Sequence, residues 1–371
     1  MSGRVLIWVQ HLLGIGHFMR AKLVAEALAD SGMEVLLLSG GLVPTGLTIN
    51  GVRLVQLPAV RAKDELFDEL VDLQGEAVTP GFMDARRVAV LDVFHAFKPD
   101  CVITETFPFG RRLVQAEVLS LIGAVKTSAR KLKLVASIRD VLQRPRKPER
   151  AQAMVDLASR HYDCILVHAD PAIVRAEEFF PEMAQVRDLL KYTGYICRGK
   201  RVDGPVREEV IVSAGGGAVG QRLVETAEKA RALSALKDRP WTIAMGPLSE
   251  SEPMSLGGLS KVRTLPDFAE RLPNAAASIS QAGYNTIAEV LHARTPSVVV
   301  PFETDREQEQ ISRAKCFERL GLLEVLRDAD LAPLALAQAI DRAYLKKMPA
   351  HEINLDGQQG TVRAVQELLA T

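Results

Sequence analysis

Short, continuous apolar runs recur along the chain, each leading through a small-residue turn into a helical pattern. They fall at residues 5–9, 34–38, 53–57, 101–104, 134–138 and 164–167, and again at 209–213, 241–245, 277–279 and 297–300. Several are apolar throughout rather than alternating, which is the pattern of strands covered on both faces by helices. Strand and helix in strict alternation predict doubly wound parallel sheets.

The rhythm restarts near residue 205. The segment from Arg198 to Pro205 is polar, with glycine and proline, and reads as a linker. Beyond it, a strand running into Ser213-Ala214-Gly215-Gly216-Gly217 repeats the design of the opening. A length of 371 residues is too great for one ordinary core and suits two. The expected architecture is α/β, with two tandem Rossmann-like domains facing a cleft. The first covers 1–200 and the second 205–355, and a last helix within 356–371 packs back on the first.

Apolar residues make up 47% and charged residues 25% of the chain, the profile of a water-soluble globular protein. The formal net charge of zero provides no global field toward nucleic acid, and no nucleic-acid partner is expected. Cys101, Cys164, Cys197 and Cys316 are far apart and form no CxxC pair, so buried thiols in a reducing cytoplasm are expected rather than disulfides or a zinc site. The run 5–9 is too short for the core of a signal peptide, and no apolar segment has the length to span a bilayer.

Three loops carry candidate chemistry. The first, His11-Leu12-Leu13-Gly14-Ile15-Gly16-His17, follows the first strand. Gly14 and Gly16 supply G-x-G, but Met19 stands at the third glycine, and Ser39-Gly40-Gly41 replaces the acid that would hold a ribose. A nicotinamide or flavin dinucleotide is thereby disfavoured, and no G-x-x-x-x-G-K-[ST] loop supports a triphosphatase. Two readings of His17 remain: a helix-start histidine, or a titratable group at a ligand-binding strand end. The second loop, 213–220, precedes a helix whose first amides suit a diphosphate, with a flexible turn as the alternative. The third is Ser278-Ile279-Ser280-Gln281-Ala282-Gly283-Tyr284-Asn285-Thr286-Ile287-Ala288-Glu289, followed one strand later by the polar turn and helix of residues 301–314. Two consecutive strand–turn–helix units would present polar groups at one sheet edge, as a nucleotide-sugar cradle or merely as two acidic helix starts.

"GIGH", "SAGGGAVG", "SQAGYNTIAE" and "PFETDREQEQISRA" together resemble the GT-B glycosyltransferases, within them family 28, the MurG-like group, and its relatives bearing "GYNT". The likeness runs over essentially the whole chain and is strongest over 278–314. It implies a nucleotide sugar bound mainly by the second domain and an acceptor bound by the first. By position, Gly215, Gly216 and Gly217 would face the diphosphate, as would the backbone at Ala282 and Gly283. Glu289 matches the glutamate that holds the ribose, and Glu309 and Gln310 match the pair that binds the donor sugar. Ser280, Asn285 and Thr286 belong to the same donor-binding block, and Phe268 closes a loop, 263–268, near the nucleobase. His17 matches the histidine of the N-terminal loop, as base or acceptor-side group. The opening loop has fewer glycines than this group, and Arg313 stands where Asn is frequent, so the peptidoglycan acceptor is not carried over.

The reaction implied is an inverting transfer from a nucleotide-diphosphate sugar, UDP-linked, to a hydroxyl. Histidine suits the base. Helix N-termini and glycine amides can hold the leaving diphosphate, so no metal and no cofactor is expected. Glu105, in Thr104-Glu105-Thr106 after a strand, is a candidate to assist His17 or orient the acceptor; Gly14, Gly16, Arg139 and Asp140 are further acceptor-side candidates. Between residues 126 and 150, nine Lys and Arg stand against Asp140 and Glu149. This bias suits an acidic or lipid-linked acceptor or peripheral contact with the inner face of a membrane, or is a solvated face. The competing readings are a GT-B nucleotide-sugar 2-epimerase or hydrolase, and a non-catalytic nucleotide-sugar-binding protein.

Overall fold

The computed structural model describes residues 3–44, 46–64, 68–199, 208–215, 220–246, 249, 251–305 and 307–371. The chain divides into two units, one of residues 1–196 with 356–371 and one of residues 197–355.

In the first unit the elements run β1 (Arg4–Val9), α1 (Gly16–Asp30), β2 (Glu34–Ser39), β3 (Val52–Gln56), β4 (Arg61–Ala62), β5 (Leu70–Val71), α2 (Pro80–Phe97) and β6 (Cys101–Glu105). They continue with α3 (Gln115–Thr127), β7 (Lys133–Arg139), α4 (Pro148–His161), β8 (Cys164–His168), α5 (Ala176–Phe179) and β9 (Leu190–Tyr192). Seven strands form one parallel sheet in the order β3-β2-β1-β6-β7-β8-β9. Its central strands β1, β6 and β8 are buried nearly end to end, as expected of a sheet with helices on both faces. Helix α2 starts with Pro80 behind an N-cap threonine, whose Thr79 Oγ1 accepts from the Phe82 amide at 3.2 Å.

The second unit runs β10 (Glu209–Ser213), α6 (Gln221–Arg231), β11 (Trp241–Ala244), β12 (Met254–Leu256), β13 (Leu259–Val262), α7 (Phe268–Arg271), β14 (Ala275–Ser280), α8 (Tyr284–Ala293), β15 (Ser297–Val299), α9 (Glu309–Arg319), β16 (Glu324–Val325) and α10 (Pro333–Lys346). Its sheet order is β12-β13-β11-β10-β14-β15-β16, parallel except for β12 against β13. Val210, Val212, Ile243, Ile279 and Val298 from the strands pack with Leu223 and Ala227 of α6 and Leu336 and Ile340 of α10. The chain ends in α11 (Gly357–Ala370), which belongs to the first unit and packs on α1.

Every apolar run singled out in the sequence is a strand, shifted at its ends by up to two residues. The structure adds β4, β5, β9, β12, β13 and β16, which are only two to four residues long. β12 is exposed throughout, so it lacks the apolar signal that marks the others. All four cysteines are free and buried. Among the described residues no helix is long and apolar enough to cross a membrane.

Candidate functional site

In an open α/β sheet, ligands gather at the carboxyl ends of the strands where the strand order reverses. In the first sheet that point lies between β1 and β6. His17, in the first turn of α1, follows β1, and Glu105 is the last residue of β6. The two side chains meet: His17 Nδ1 lies 3.0 Å from Glu105 Oε1. Thr106 Oγ1 and Arg20 Nη2 also approach Nδ1, at 3.0 and 3.1 Å. A carboxylate oxygen can only accept, and Arg20 Nη2, which can only donate, lies nearer to Glu105 than to Nδ1; we assign the Nδ1 proton to the contact with Glu105. Arg20 in turn donates to Glu105 Oε1. Nε2 of His17 is left as a lone pair with no partner among the described residues. Burial, then the positive fields of Arg111, Arg139 and Arg20, hold the His17 imidazole well below its usual value, so it is neutral near pH 7.

The loop carrying His17 is held by a buried network. Arg86 of α2 and Glu117 of α3 pair bidentately, both N···O distances 2.9 Å, with Arg86 completely buried. Trp8 Nε1 donates to the same carboxylate at 3.1 Å, and Arg86 also donates to Gln10 Oε1 at 2.9 Å and to the Gly40 carbonyl at 3.0 Å. Gln10 Nε2 donates to the His11 and Val60 carbonyls. The strand end before the glycine turn is thereby fixed on three sides.

Among the other acceptor-side candidates, Arg139 ends β7 and is half-buried, with its charge felt at His17. Asp140 is completely buried, and its Oδ1 accepts from the Val141 amide at 2.7 Å, so it shapes the turn. A Cβ built at Gly14 meets nothing within 4 Å, so no protein packing demands a glycine there. Gly16 is the first residue of α1.

In the second unit the strand order reverses between β10 and β14. Ser213 and Ser280, their last residues, are register partners. Gly215 follows with φ +76°, a left-handed conformation suited to glycine. Gly216 and Gly217 lie outside the described residues. Gly220, the N-cap of α6, sits so close to Ala214 that a Cβ would meet the Ala214 carbonyl oxygen at 2.6 Å. Ser280 is 1% exposed, and its hydroxyl has no hydrogen-bond partner among the described residues. Beyond it, Gly283 is the N-cap of α8 and no side chain caps that helix. Asn285 and Thr286, half-buried, are in its first turn. Such a helix start is a positive end suited to phosphate.

Glu289, one turn further along α8, is 4% exposed and accepts from Arg198 Nε at 2.7 Å. Burial holds its carboxyl above the usual range, against the opposing pull of Arg198. On α9, Glu309 is paired within its own helix: Arg313, completely buried, donates to Glu309 Oε1 at 2.5 Å and to the Ala282 carbonyl at 3.1 Å. The Arg313 guanidinium also lies 5.8 Å over the Tyr284 ring. Gln310 Oε1 accepts from the Phe302 amide at 3.1 Å. Phe268 is buried at the start of α7. Ala282, Gly283, Tyr284, Glu309 and Arg313 are thus one connected group, while Phe268 lies on a separate element.

Sequence reasoning missed four residues that bear on these sites. Arg198 falls in the polar segment that reads as a linker, yet it holds Glu289. Arg20, on α1, is 1% exposed and carries the Glu105 ion pair; an arginine one helical turn after His17 was the signal. Ser137 donates to Glu105 Oε2 at 2.6 Å, and His168 stands behind it at 2.9 Å; both are in apolar strands.

Residues 210–367 match the glycosyltransferase family 28 C-terminal domain. The chain is 26% identical over 195 residues to the UDP-N-acetylglucosamine–N-acetylmuramyl-(pentapeptide) pyrophosphoryl-undecaprenol N-acetylglucosamine transferase of Thermotoga maritima, covering 48% of this chain and 56% of that protein. It is 29% identical over 208 residues to the transferase of the same name in Geobacillus kaustophilus, covering 52% and 57%. The matched part thus spans little more than half the length of these relatives. Among solved structures it is similar to the calicheamicin glycosyltransferase CalG4 (TM-score 0.62, 16% identity, 100% of this chain and 98% of that one). It is similar also to MurG of Acinetobacter baumannii (TM-score 0.58, 16% identity, 99% and 100%). The chain therefore has the fold of the GT-B glycosyltransferases, and its residues 210–367 match the glycosyltransferase family 28 C-terminal domain.

Proposed function

We propose that the protein is an inverting glycosyltransferase that moves a sugar from a nucleotide-diphosphate sugar, UDP-linked, to a hydroxyl acceptor. The observation that carries this reading is the His17–Glu105 pair at the switch point of the first sheet. Glu105 fixes the Nδ1–H tautomer, which leaves the Nε2 lone pair as base, and its negative charge favours the imidazolium that forms when the acceptor hydroxyl loses its proton. The charges of Arg111, Arg139 and Arg20 around His17 favour an acceptor with an anionic group nearby, as a lipid-linked phosphate would provide.

The donor is assigned to the second unit. The uncapped start of α8, the Ser280 hydroxyl and the turn at Gly215 suit the diphosphate, and Glu289 suits the ribose hydroxyls. Leaving-group charge would then be met by amides and helix ends in place of a metal ion. Glu309 and Gln310 would reach the donor sugar only by exchanging their present partners, Arg313 and the Phe302 amide. The names of the relatives, which include a UDP-sugar donor and an undecaprenol-linked acceptor, support the same class of substrates.

The test offers the protein sugar-labelled nucleotide sugars with lipid-phosphate and small hydroxyl acceptors, with and without EDTA. Label moved to an acceptor with inverted configuration, unchanged by EDTA and absent in His17→Ala, is the expected result. Free labelled sugar or an epimerised donor, formed without acceptor, would instead establish a hydrolase or an epimerase.

A further inference from the structure

The catalytic candidate Glu105 is not held from the α1 side alone. Behind it, one polar side chain stands at the carboxyl end of each successive strand in the sheet order. Ser137 is the register partner of Glu105 across β6 and β7. Leu166 is the partner of Ser137 on β8, and His168, two residues on, points to the same face. Thr193 follows β9 directly. The contacts run Glu105 Oε2 to Ser137 Oγ at 2.6 Å, Ser137 Oγ to His168 Nε2 at 2.9 Å, and His168 Nδ1 to Thr193 Oγ1 at 2.8 Å. All four residues are buried.

The proton positions in this chain follow from the acceptor at its end. Glu105 can only accept, so the Ser137 hydroxyl donates to it, and 2.6 Å is the separation of a charge-assisted O–H···O⁻ bond. Ser137 Oγ then has only lone pairs left for His168, so His168 Nε2 bears the hydrogen. A neutral His168 must therefore accept at Nδ1, and Thr193 donates to it. The alternative acceptors for Thr193, the Gly194 and Val167 carbonyls, are farther, at 3.2 and 3.4 Å. Burial first, and then Arg20, push the His168 pKa down to about 3, in keeping with a neutral ring. The outer end of the chain is itself clamped: a Cβ at Gly360 of α11 would meet the Thr193 carbonyl oxygen at 2.1 Å.

We propose that Thr193, His168 and Ser137 form an oriented hydrogen-bond relay that fixes the Glu105 carboxylate and, through it, the tautomer of His17. Every hydrogen in the relay points toward Glu105, so the carboxylate is locked in rotation by Ser137 at Oε2 and by Arg20 at Oε1. A carboxylate free to turn would let His17 exchange its Nδ1–H for Nε2–H and lose the lone pair that faces outward. Ser137, His168 and Thr193 are positioning residues. The charged and titratable groups around them are Arg20, Glu105 and Arg139, the last being the register partner of His168 and two residues beyond Ser137 on β7; Arg111 and His11 act with Arg139 and Arg20 on His17.

The relay's catalytic meaning rests on the proposed role of His17, but its test does not need turnover. Imidazole ¹⁵N spectra of the full-length chain read the tautomer of each histidine. In the wild type the expected states are Nε2–H for His168 and Nδ1–H for His17. Ser137→Ala should mix the His17 tautomers, so that its two nitrogen shifts move toward each other, and Ser137→Thr, which keeps the hydroxyl, should restore them. With an assayable acceptor, Ser137→Ala should also lower kcat by about 10- to 100-fold, a part of what a general base contributes, at unchanged donor KM. The opposite tautomer of His168 in the wild type overturns the relay without any variant. So does a Ser137→Ala chain that keeps its melting temperature and its His17 shifts. If the tautomers are as stated and no sugar is transferred, the relay stands and the transferase reading falls.

Discussion

His17 Nδ1 lies 3.0 Å from Glu105 Oε1, across the point where the first sheet changes direction. One side chain comes from the helix after β1 and the other from the end of β6, 88 residues apart in sequence. The pair separates two roles: a base that must be neutral with its outer nitrogen bare, and an anion that steadies it.

Glu105→Gln keeps the shape and removes the charge. An amide can present either a donor or an acceptor to Nδ1, so the His17 tautomer is no longer dictated. Turnover should fall by about 10²- to 10⁴-fold, the usual contribution of a positioned base, with donor affinity unchanged. Steady-state kinetics beside donor binding by calorimetry checks this; turnover within twofold of wild type would remove Glu105 from the mechanism.

Arg198 and Glu289 offer a second test. Removing Arg198 leaves a carboxylate that is 4% exposed without its cation, and such a group raises its pKa further. Arg198→Ala should therefore weaken nucleotide binding most at low pH, where the Glu289 carboxyl takes up a proton and stops being a charged acceptor for the ribose hydroxyls. Equal affinity loss at pH 6 and pH 8.5 would contradict this coupling.

Folding stability should fall as the pH drops below 6.5. His168 and His17 are both held below the ordinary histidine value in the folded state, His168 at about 3. An unfolded chain takes up protons near pH 6.5 that the folded one refuses. The stabilisation is thus full above pH 6.5 and is lost progressively as pH falls toward 3. Each group contributes a slope of up to about 1.4 kcal/mol per pH unit. Urea unfolding between pH 7.5 and 5, where ordinary carboxylates stay ionised, should show the decline, with a shallower slope in His168→Gln. A stability that is flat or rising over this interval would show that these rings are charged in the folded protein.

Glu117→Ala isolates the structural network from the chemistry. It strands the buried Arg86 guanidinium and the Trp8 indole N–H, at a cost of about 3–5 kcal/mol. Denaturant titration should show that loss; a cost below 1 kcal/mol would mean that water or another acceptor replaces the carboxylate.

The two sheets and the loops at their carboxyl edges were legible in the sequence because buried parallel strands are continuous apolar runs and the turns behind them are small and polar; the strand order, and with it the two switch points, was not. The opening loop departs from the dinucleotide fingerprint at Met19 and at the missing acid. Arg198 was not legible, since one arginine beside glycine looks like any linker until α8 brings Glu289 to it. Ser137 and His168 were hidden for a different reason. Each interrupts an apolar strand once, which ordinary core strands also do, and only the sheet order β6-β7-β8 places them behind Glu105. Glu309 shows the opposite case: its position in the motif was plain, but its pairing with Arg313 is a matter of helix geometry that the motif does not carry.

The division of labour between a donor site on one unit and a base on the other is tested most directly by nucleotide-dependent melting. Uridine diphosphate and UDP-sugars at a hundredfold excess over Kd should stabilise the wild type by about 2.7 kcal/mol. His17→Ala should be stabilised equally, and Glu289→Ala hardly at all. Stabilisation lost in His17→Ala but kept in Glu289→Ala, or absent from the wild type with every nucleotide diphosphate tried, would contradict the account.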